Sequence, residues 1–399
     1  MGANIMCVTS SGGLPLFSRT KGNIEPLPFS VIGSLNGVHM FGKSHGLVIE
    51  STETKNMTVV WKEFESSITL IAVAYLNGQK ILNNVLDAVF GSLVLFVGID
   101  ELKNIKNVER TKREMRACYP VIDKILECLD FGERNTGGVN NNILGLTEAI
   151  LCTENESMLT CLESYVESVC SLFGCVTIEN CIAVATDGWW ELSHLERKLL
   201  SFLMSSNSNC TAFDSPVFLP CKSPNVPFRL VSVCLINSVW VSVLCGPTPD
   251  ISSIEQICYQ CWAPVLSTLR TALLTYPRNI PLSVQMHNSI FGLLLINIKF
   301  GKYVLSNNLN IYKKDSKSSG EVLKTFYYEA VTDLINKETN ESSIETYWCS
   351  EYHKLHAIRN GDNIICVMYN YMIPTHTMRL ISKETMTSII SLEGLEWHQ

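Results

Sequence analysis

The sequence predicts an α+β protein of three consecutive units, each an antiparallel sheet flanked by helices. Three observations carry this reading. Runs of β-branched and aromatic residues alternate with segments of helical period, and the order sheet, helix, sheet, helices recurs along the chain. One stretch, 131–143, is rich in Gly and Asn without any apolar period and marks a boundary. Finally, 399 residues suffice to bury several separate cores.

The first unit, 1–130, opens with strands at 5–9 and 14–17 around a Gly12-Gly13 turn. A helix at 29–41 follows, then strands at 47–50, 58–64 and 68–75. Helices at 80–97 and 108–129 close the unit, the second bent at Pro120, which lacks the backbone N–H a helix interior needs. After the linker 131–143, the second unit (144–278) reads as a strand at 149–152, a helix at 157–173, and strands at 175–179 and 182–186. An Asp187-Gly188 turn and a helix at 195–204 come next. Strands at 217–220, 228–236 and 239–245 precede a helix at 251–274 bent at Pro264; Asn237-Ser238 makes the last two strands a hairpin. The third unit, 279–399, shows a hairpin of 290–300 with 303–307, a helix at 321–337, paired strands 347–359 and 364–371 around Asn360-Gly361-Asp362, and a helix at 375–392.

Within this frame the helix at 29–41 stands out. Val31, Ile32, Leu35 and Val38 form one apolar stripe, while Phe29, Gly33, Asn36, Gly37 and Met40 fall on the opposite side. Each glycine in a helix interior costs about 0.8–1 kcal/mol relative to alanine. The benefit that offsets this is the close approach of another backbone, supplied either by a partner or by another part of the same chain. Both remain open at this level.

Composition narrows the function. With 46% hydrophobic and 17% charged residues, the chain is too apolar for disorder and suits large buried contacts between domains or subunits. A formal charge of −7 argues against nucleic-acid binding. The most basic stretch, from Lys103 to Arg116, is interrupted by Glu109 and Glu114 and reads as a solvated helix face; a weak contact with anionic membrane or an acidic partner is its functional alternative. No signal peptide opens the chain, and Met6 occupies the Ser/Thr position that myristoylation of Gly2 would need. Sixteen cysteines without a secretory signal then imply reduced cytosolic thiols, and the sequons at Asn56, Asn155, Asn209 and Asn340 are discounted.

Catalytic and metal motifs are missing. Cys258-Tyr-Gln-Cys261 is a single CxxC with no second pair to complete a zinc site, so structural thiols are expected and no metal or other cofactor. His353 and His356, three apart on a strand, point to opposite faces, and His287 stands apart from them. No phosphate loop, nucleophile elbow or kinase signature occurs. At least one of Trp189 and Trp190 is expected in a core.

Six stretches carry a resemblance: LPFSVIGSLNGVHMFG (27–42), TVVWKEFESSITLI (58–71), KNIKNVERTKREMRACY (103–119), CIAVATDGWW (181–190), DSPVFLPCKSPNVPFRL (214–230) and LCGPTP (244–249). In them the chain closely resembles the planar-cell-polarity effectors of the three-longin-domain exchange-factor superfamily, a likeness that weakens towards the C-terminus. The resemblance implies three longin-like domains at the boundaries above. It implies a non-enzymatic cytoplasmic protein of the cytoskeleton and ciliary basal body that pairs with Inturned, alongside Wdpcp. That heterodimer would promote nucleotide exchange on a Rab-type or Rab-like small GTPase and help recruit intraflagellar transport proteins. By the same analogy the first longin domain offers a partner platform at Phe29, Gly33, Asn36, Gly37, Met40 and Lys43. A pure scaffold that binds GTPases and cargo without exchange is the alternative, and a thiol enzyme hidden in the Cys-rich second unit is a third reading that the missing motifs oppose.

Overall fold

The computed structural model describes residues 2–22, 24–55, 57–74, 79–129, 145–207, 210–307, 322–323, 326–327, 344–391 and 397. The expected linker at 131–143 and most of the expected helix at 321–337 lie outside them, although 322–323 and 326–327 are helical.

Among the described residues three mostly antiparallel sheets are present, and they repeat one topology. The first is built from β1 (Ala3–Thr9), β2 (Pro15–Lys21), β3 (Ser51–Glu53), β4 (Thr58–Phe64) and β5 (Ile68–Ala74), in spatial order β2-β1-β5-β4-β3. The second comprises β7 (Phe173–Ile178), β8 (Cys181–Ala185), β9 (Ala212–Leu219), β10 (Ser223–Ile236) and β11 (Val239–Cys245), in order β8-β7-β11-β10-β9. In the third, β12 (Ile290–Asn297), β13 (Lys302–Asn307), β14 (Ile344–Cys349), β15 (His353–Asn360) and β16 (Asn363–Asn370) follow the same order read from the other edge, and β6 (Thr147–Glu148) adds beyond β13. In every case the last strand of the unit lies beside its first, and helical chain separates its second strand from its third.

The central strands are apolar throughout. β5 (ITLIAVA) and β11 (VWVSVLC) are buried at every position, because helices or loops cover both of their faces. The second sheet's largest core gathers Leu162, Tyr165, Val176, Val231, Val241 and Trp262. The third sheet has a core on each face, one around Leu293, Ile365, Met378 and Trp397, the other around Leu294, Tyr303, Phe326 and Leu355.

By contacts the chain forms two compact units. The first contains 1–140 together with 195–207 and 215–228, the second 141–194, 208–214 and 229–399. The helix expected at 195–204 therefore packs with the first sheet's unit. Observed as α8 (His194–Ser206), it sets Leu195 and Leu199 so close to Gly91 that a Cβ there would stand 3.1 Å from each. Gly91 belongs to α2 (Gln79–Val97), and its missing side chain is what lets the helices approach.

Other expectations are corrected by local geometry. The strand expected at 47–50 is displaced to β3, and Glu50 O instead accepts from Trp61 N at 2.9 Å. After the short α3 (Ile99–Lys103), the expected 108–129 helix divides into α4 (Val108–Met115), a 3-10 turn at Arg116–Cys118 and α5 (Tyr119–Glu127), with Pro120 in the first turn of the last, where no N–H is needed. The Asp187-Gly188 turn is instead a short helix, α7 (Asp187–Trp190), because the Thr186 hydroxyl caps it by accepting from Trp189 N. The single strand expected at 347–359 is a hairpin of β14 and β15: Ser350 Oγ accepts from Tyr352 N and His353 N and turns the chain. The strand at 149–152 is not a member of the second sheet alone. Ala149 makes an isolated parallel bridge to Ile182, while Thr147 and Glu148 pair with β13, so one short segment joins the second and third sheets.

Candidate interaction surface

α1 (Phe29–Ser44) connects β2 to β3 and begins after Pro28, whose extended backbone launches the helix without a side-chain cap. Its inward face is Ile32, Asn36, His39 and Gly42, with Leu35 half-buried. Two polar residues, Asn36 and His39, therefore point inward beside Ile32, while several large apolar ones point outward. Phe29 is 70% exposed, Phe41 68% and Val38 52%, and the chain beyond continues this character with Leu47 and Val48.

Close approach explains why the helix turns this way. Asn36 abuts the β1–β2 turn, where a Cβ on Gly13 would stand 2.2 Å from Asn36 Nδ2. Ile49 presses on Gly42, where a Cβ would meet Ile49 Cδ1 at 3.0 Å. A larger apolar side chain fits neither place. The stripe Val31, Ile32, Leu35 and Val38 is thus corrected: Ile32 and Leu35 pack inward, while Val31 and Val38 face out.

Trp61 of β4 anchors the helix from below. Its indole Nε1 donates to Leu35 O at 3.2 Å, and its ring lies parallel to that of His39, centroids 6.5 Å apart. Neither ring nitrogen of His39 has a hydrogen-bond partner among the described residues, although the residue is 6% exposed. At the C-terminal end Lys43 Nζ donates to both carboxylate oxygens of Glu63 at 2.8 Å.

The six candidate residues consequently separate. Phe29, Gly33, Gly37 and Met40 lie on the exposed side, and a Cβ at Gly33 or Gly37 would meet nothing within 4 Å among the described residues. Asn36 is a correction: it is buried, and its Nδ2 donates to Met40 Sδ at 3.3 Å. Lys43 is exposed but held by Glu63. Val31, Val38, Phe41, Leu47 and Val48 extend the apolar face beyond the sequence-based set; the signal for the first three was present in a helix apolar on both sides, since only one side can meet the sheet, whereas Leu47 and Val48 lie beyond the helix.

Elsewhere the site chemistry is quiet. Within the basic stretch, Lys103 pairs with Glu65 at 3.5 Å, Arg110 with Glu114 at 2.8 Å and Lys112 with Glu109 at 2.9 Å. His356 is buried beneath the C-terminal helix Thr375–Ile390, its Nδ1 2.9 Å from Ser382 Oγ and its Nε2 3.7 Å from Glu345. His353 lies half-buried on the opposite face. Trp189 is fully buried. No described helix is long and apolar enough to cross a membrane.

Comparison with known proteins places these features in sequence space. Residues 3–125, 169–263 and 289–393 match, in turn, family models described as the first, second and third longin domains of FUZ, MON1 and HPS1. Curated relatives match nearly end to end. Protein fuzzy homolog of Xenopus tropicalis is 33% identical over 96% of this chain and 97% of its own. That of Rattus norvegicus is 34% identical over 98% and 97%. Protein fuzzy homolog of Homo sapiens is 37% identical over 81% of this chain and 78% of its own.

Proposed function

Because the chain belongs to the Fuzzy family, with three longin domains in series, we propose that it is a non-catalytic subunit of a ciliogenesis and planar-polarity effector assembly at the basal body. It pairs with Inturned, alongside Wdpcp, and the pair acts as a guanine-nucleotide exchange factor for a Rab-type or Rab-like GTPase and supports recruitment of intraflagellar transport proteins. The observation that carries this reading is the exposed apolar face of α1 on the first longin domain.

Physical chemistry supports such a role for that face. Burying a large apolar side chain contributes about 1.5–3 kcal/mol, so Phe29, Val38 and Phe41 together supply a substantial interface core. Gly33 and Gly37 between them leave room for a partner backbone to come close. Exchange itself breaks and forms no covalent bond. It requires a surface that holds the nucleotide-free GTPase more tightly than the loaded one, because a binder shifts an equilibrium only by its differential affinity. Lys106, Arg113 and Arg116, exposed on the same domain, add at most a weak contact with an anionic membrane.

Co-purification with Inturned tests the pairing. Phe29→Asp with Phe41→Asp removes it while the melting temperature holds, because both side chains already face water. Undiminished pairing by the folded double variant overturns the assignment of the platform to α1.

A further inference from the structure

The second longin domain holds a group of thiols that the α1 platform leaves unused. α6 (Asn155–Ser168) and α9 (Ile251–Trp262) pack side by side, with Cα atoms of the two helices within 8 Å. Cys161 of α6 meets Cys258 and Cys261 of α9 at this crossing, over the same core. Cys161 Sγ donates to the Cys261 carbonyl oxygen at 3.3 Å. Cys258 is buried, whereas Cys161 and Cys261 are each partly open to solvent. Among the described residues, no three or more His, Cys, Asp or Glu are grouped to hold a metal ion, so thiol chemistry is what this cluster offers.

We propose that Cys161 and Cys261 form a redox-sensitive pair that closes to a disulfide under peroxide and staples α6 to α9. The Cys261 thiolate attacks one peroxide oxygen; the O–O bond breaks, hydroxide leaves and is protonated to water, and Cys261 becomes a sulfenic acid. The Cys161 sulfur then attacks the Cys261 sulfur, the S–O bond breaks, and the departing hydroxide takes the Cys161 proton as water. Two thiols and one hydrogen peroxide yield one disulfide and two waters.

The resolving role follows from the surroundings. Burial pushes the Cys161 thiol up to about 11 and Cys258 up to about 12, which disfavours both as the first attacking thiolate, and Cys161, whose Sγ already reaches the Cys261 carbonyl oxygen, is placed to resolve. A disulfide requires Cα atoms no more than about 7 Å apart; the 3.3 Å reach of Cys161 Sγ to the Cys261 carbonyl oxygen brings the first side chain against the backbone of the second, so that rotation about χ1 is what must bring the two sulfurs together. The staple would tie α6, which precedes the matched second longin domain, to a helix inside it.

The test uses the full-length protein. After hydrogen peroxide treatment in native buffer, thiols are alkylated and peptides mapped by mass spectrometry, with and without dithiothreitol. A dithiothreitol-reversible link between the Cys161 and Cys261 peptides is expected, absent in Cys161→Ala, together with a higher melting temperature of the oxidised wild type. Three results overturn the proposal: both thiols stay fully alkylatable after peroxide, the link joins Cys258 to Cys261, or the Cys161–Cys261 link appears only in urea.

Discussion

Gly33 and Gly37 sit on the exposed side of a helix interior, where alanine is the better residue by about 0.8–1 kcal/mol. Gly33→Ala is therefore expected to raise stability by about that amount in denaturant titration, whereas Gly33→Leu with Gly37→Leu should abolish partner binding in a folded protein. Trp61→Phe keeps the ring against His39 but loses the donation to Leu35 O, which costs about 1 kcal/mol and loosens the seat of α1. In the third domain Trp397 is fully buried, donates to Asn363 Oδ1 at 3.0 Å and lies with its ring 5.6 Å from the buried Lys302 Nζ. Trp397→Ala is expected to cost about 3–5 kcal/mol by chemical denaturation.

His356 gives a residue-level prediction in pH. Burial holds its imidazole below the ordinary histidine range, outweighing the pull of Glu345, and burial lowers His353 as well. The unfolded chain thus takes up protons first as pH falls. Stability is fully present above the unfolded histidine pKa of about 6.5 and declines as pH drops below it towards the lowered folded values. Melting temperatures measured from pH 7.5 to 5.5 should fall for the wild type and fall less for His356→Gln, while a flat profile would contradict the buried, neutral imidazole.

At the scale of elements, what could be read from the sequence was what local chemistry decides. Pro264 interrupts its helix where expected, within a 3-10 turn at Ala263–Val265, Pro120 opens α5 just after the 3-10 turn at Arg116–Cys118, and Asn237 takes a φ of 36° at the β10–β11 turn. What could not be read was decided by contacts between distant segments. The facing of α1 depends on the β1–β2 turn and on Ile49; nothing in a helical wheel contains either. Ser350 turns the 347–359 run into a hairpin through its hydroxyl, a signal weaker than Asn-Gly and easily passed over. Of the candidate residues, the shared side of Phe29, Gly33, Gly37 and Met40 could be read from the helix alone, whereas the burial of Asn36 needed its tertiary neighbour.

For the whole molecule, the repeated strand order gives each longin domain the same two kinds of edge, and the chain treats them differently. On β13, and by a single bridge on β8, the edge is covered by the 147–149 segment. On β2 it is flanked by charge, where Arg19 pairs with Asp123 and Lys21 with Glu127 at 3.2 Å. Such blocking of strand edges discourages sheet-to-sheet association and leaves the helical face of the first domain as the open apolar surface there. Under the proposed function, work done through this surface depends on shape and differential affinity.

That claim is tested most directly by the release of fluorescent nucleotide from Rab-type and Rab-like GTPases mixed with this chain and Inturned together. Release should accelerate with the pair, stay at the spontaneous rate with either subunit alone, and return to that rate when Phe29→Asp and Phe41→Asp are introduced. Spontaneous release with every GTPase tried, together with equal affinity for loaded and nucleotide-free forms, would contradict exchange and leave a scaffold in its place.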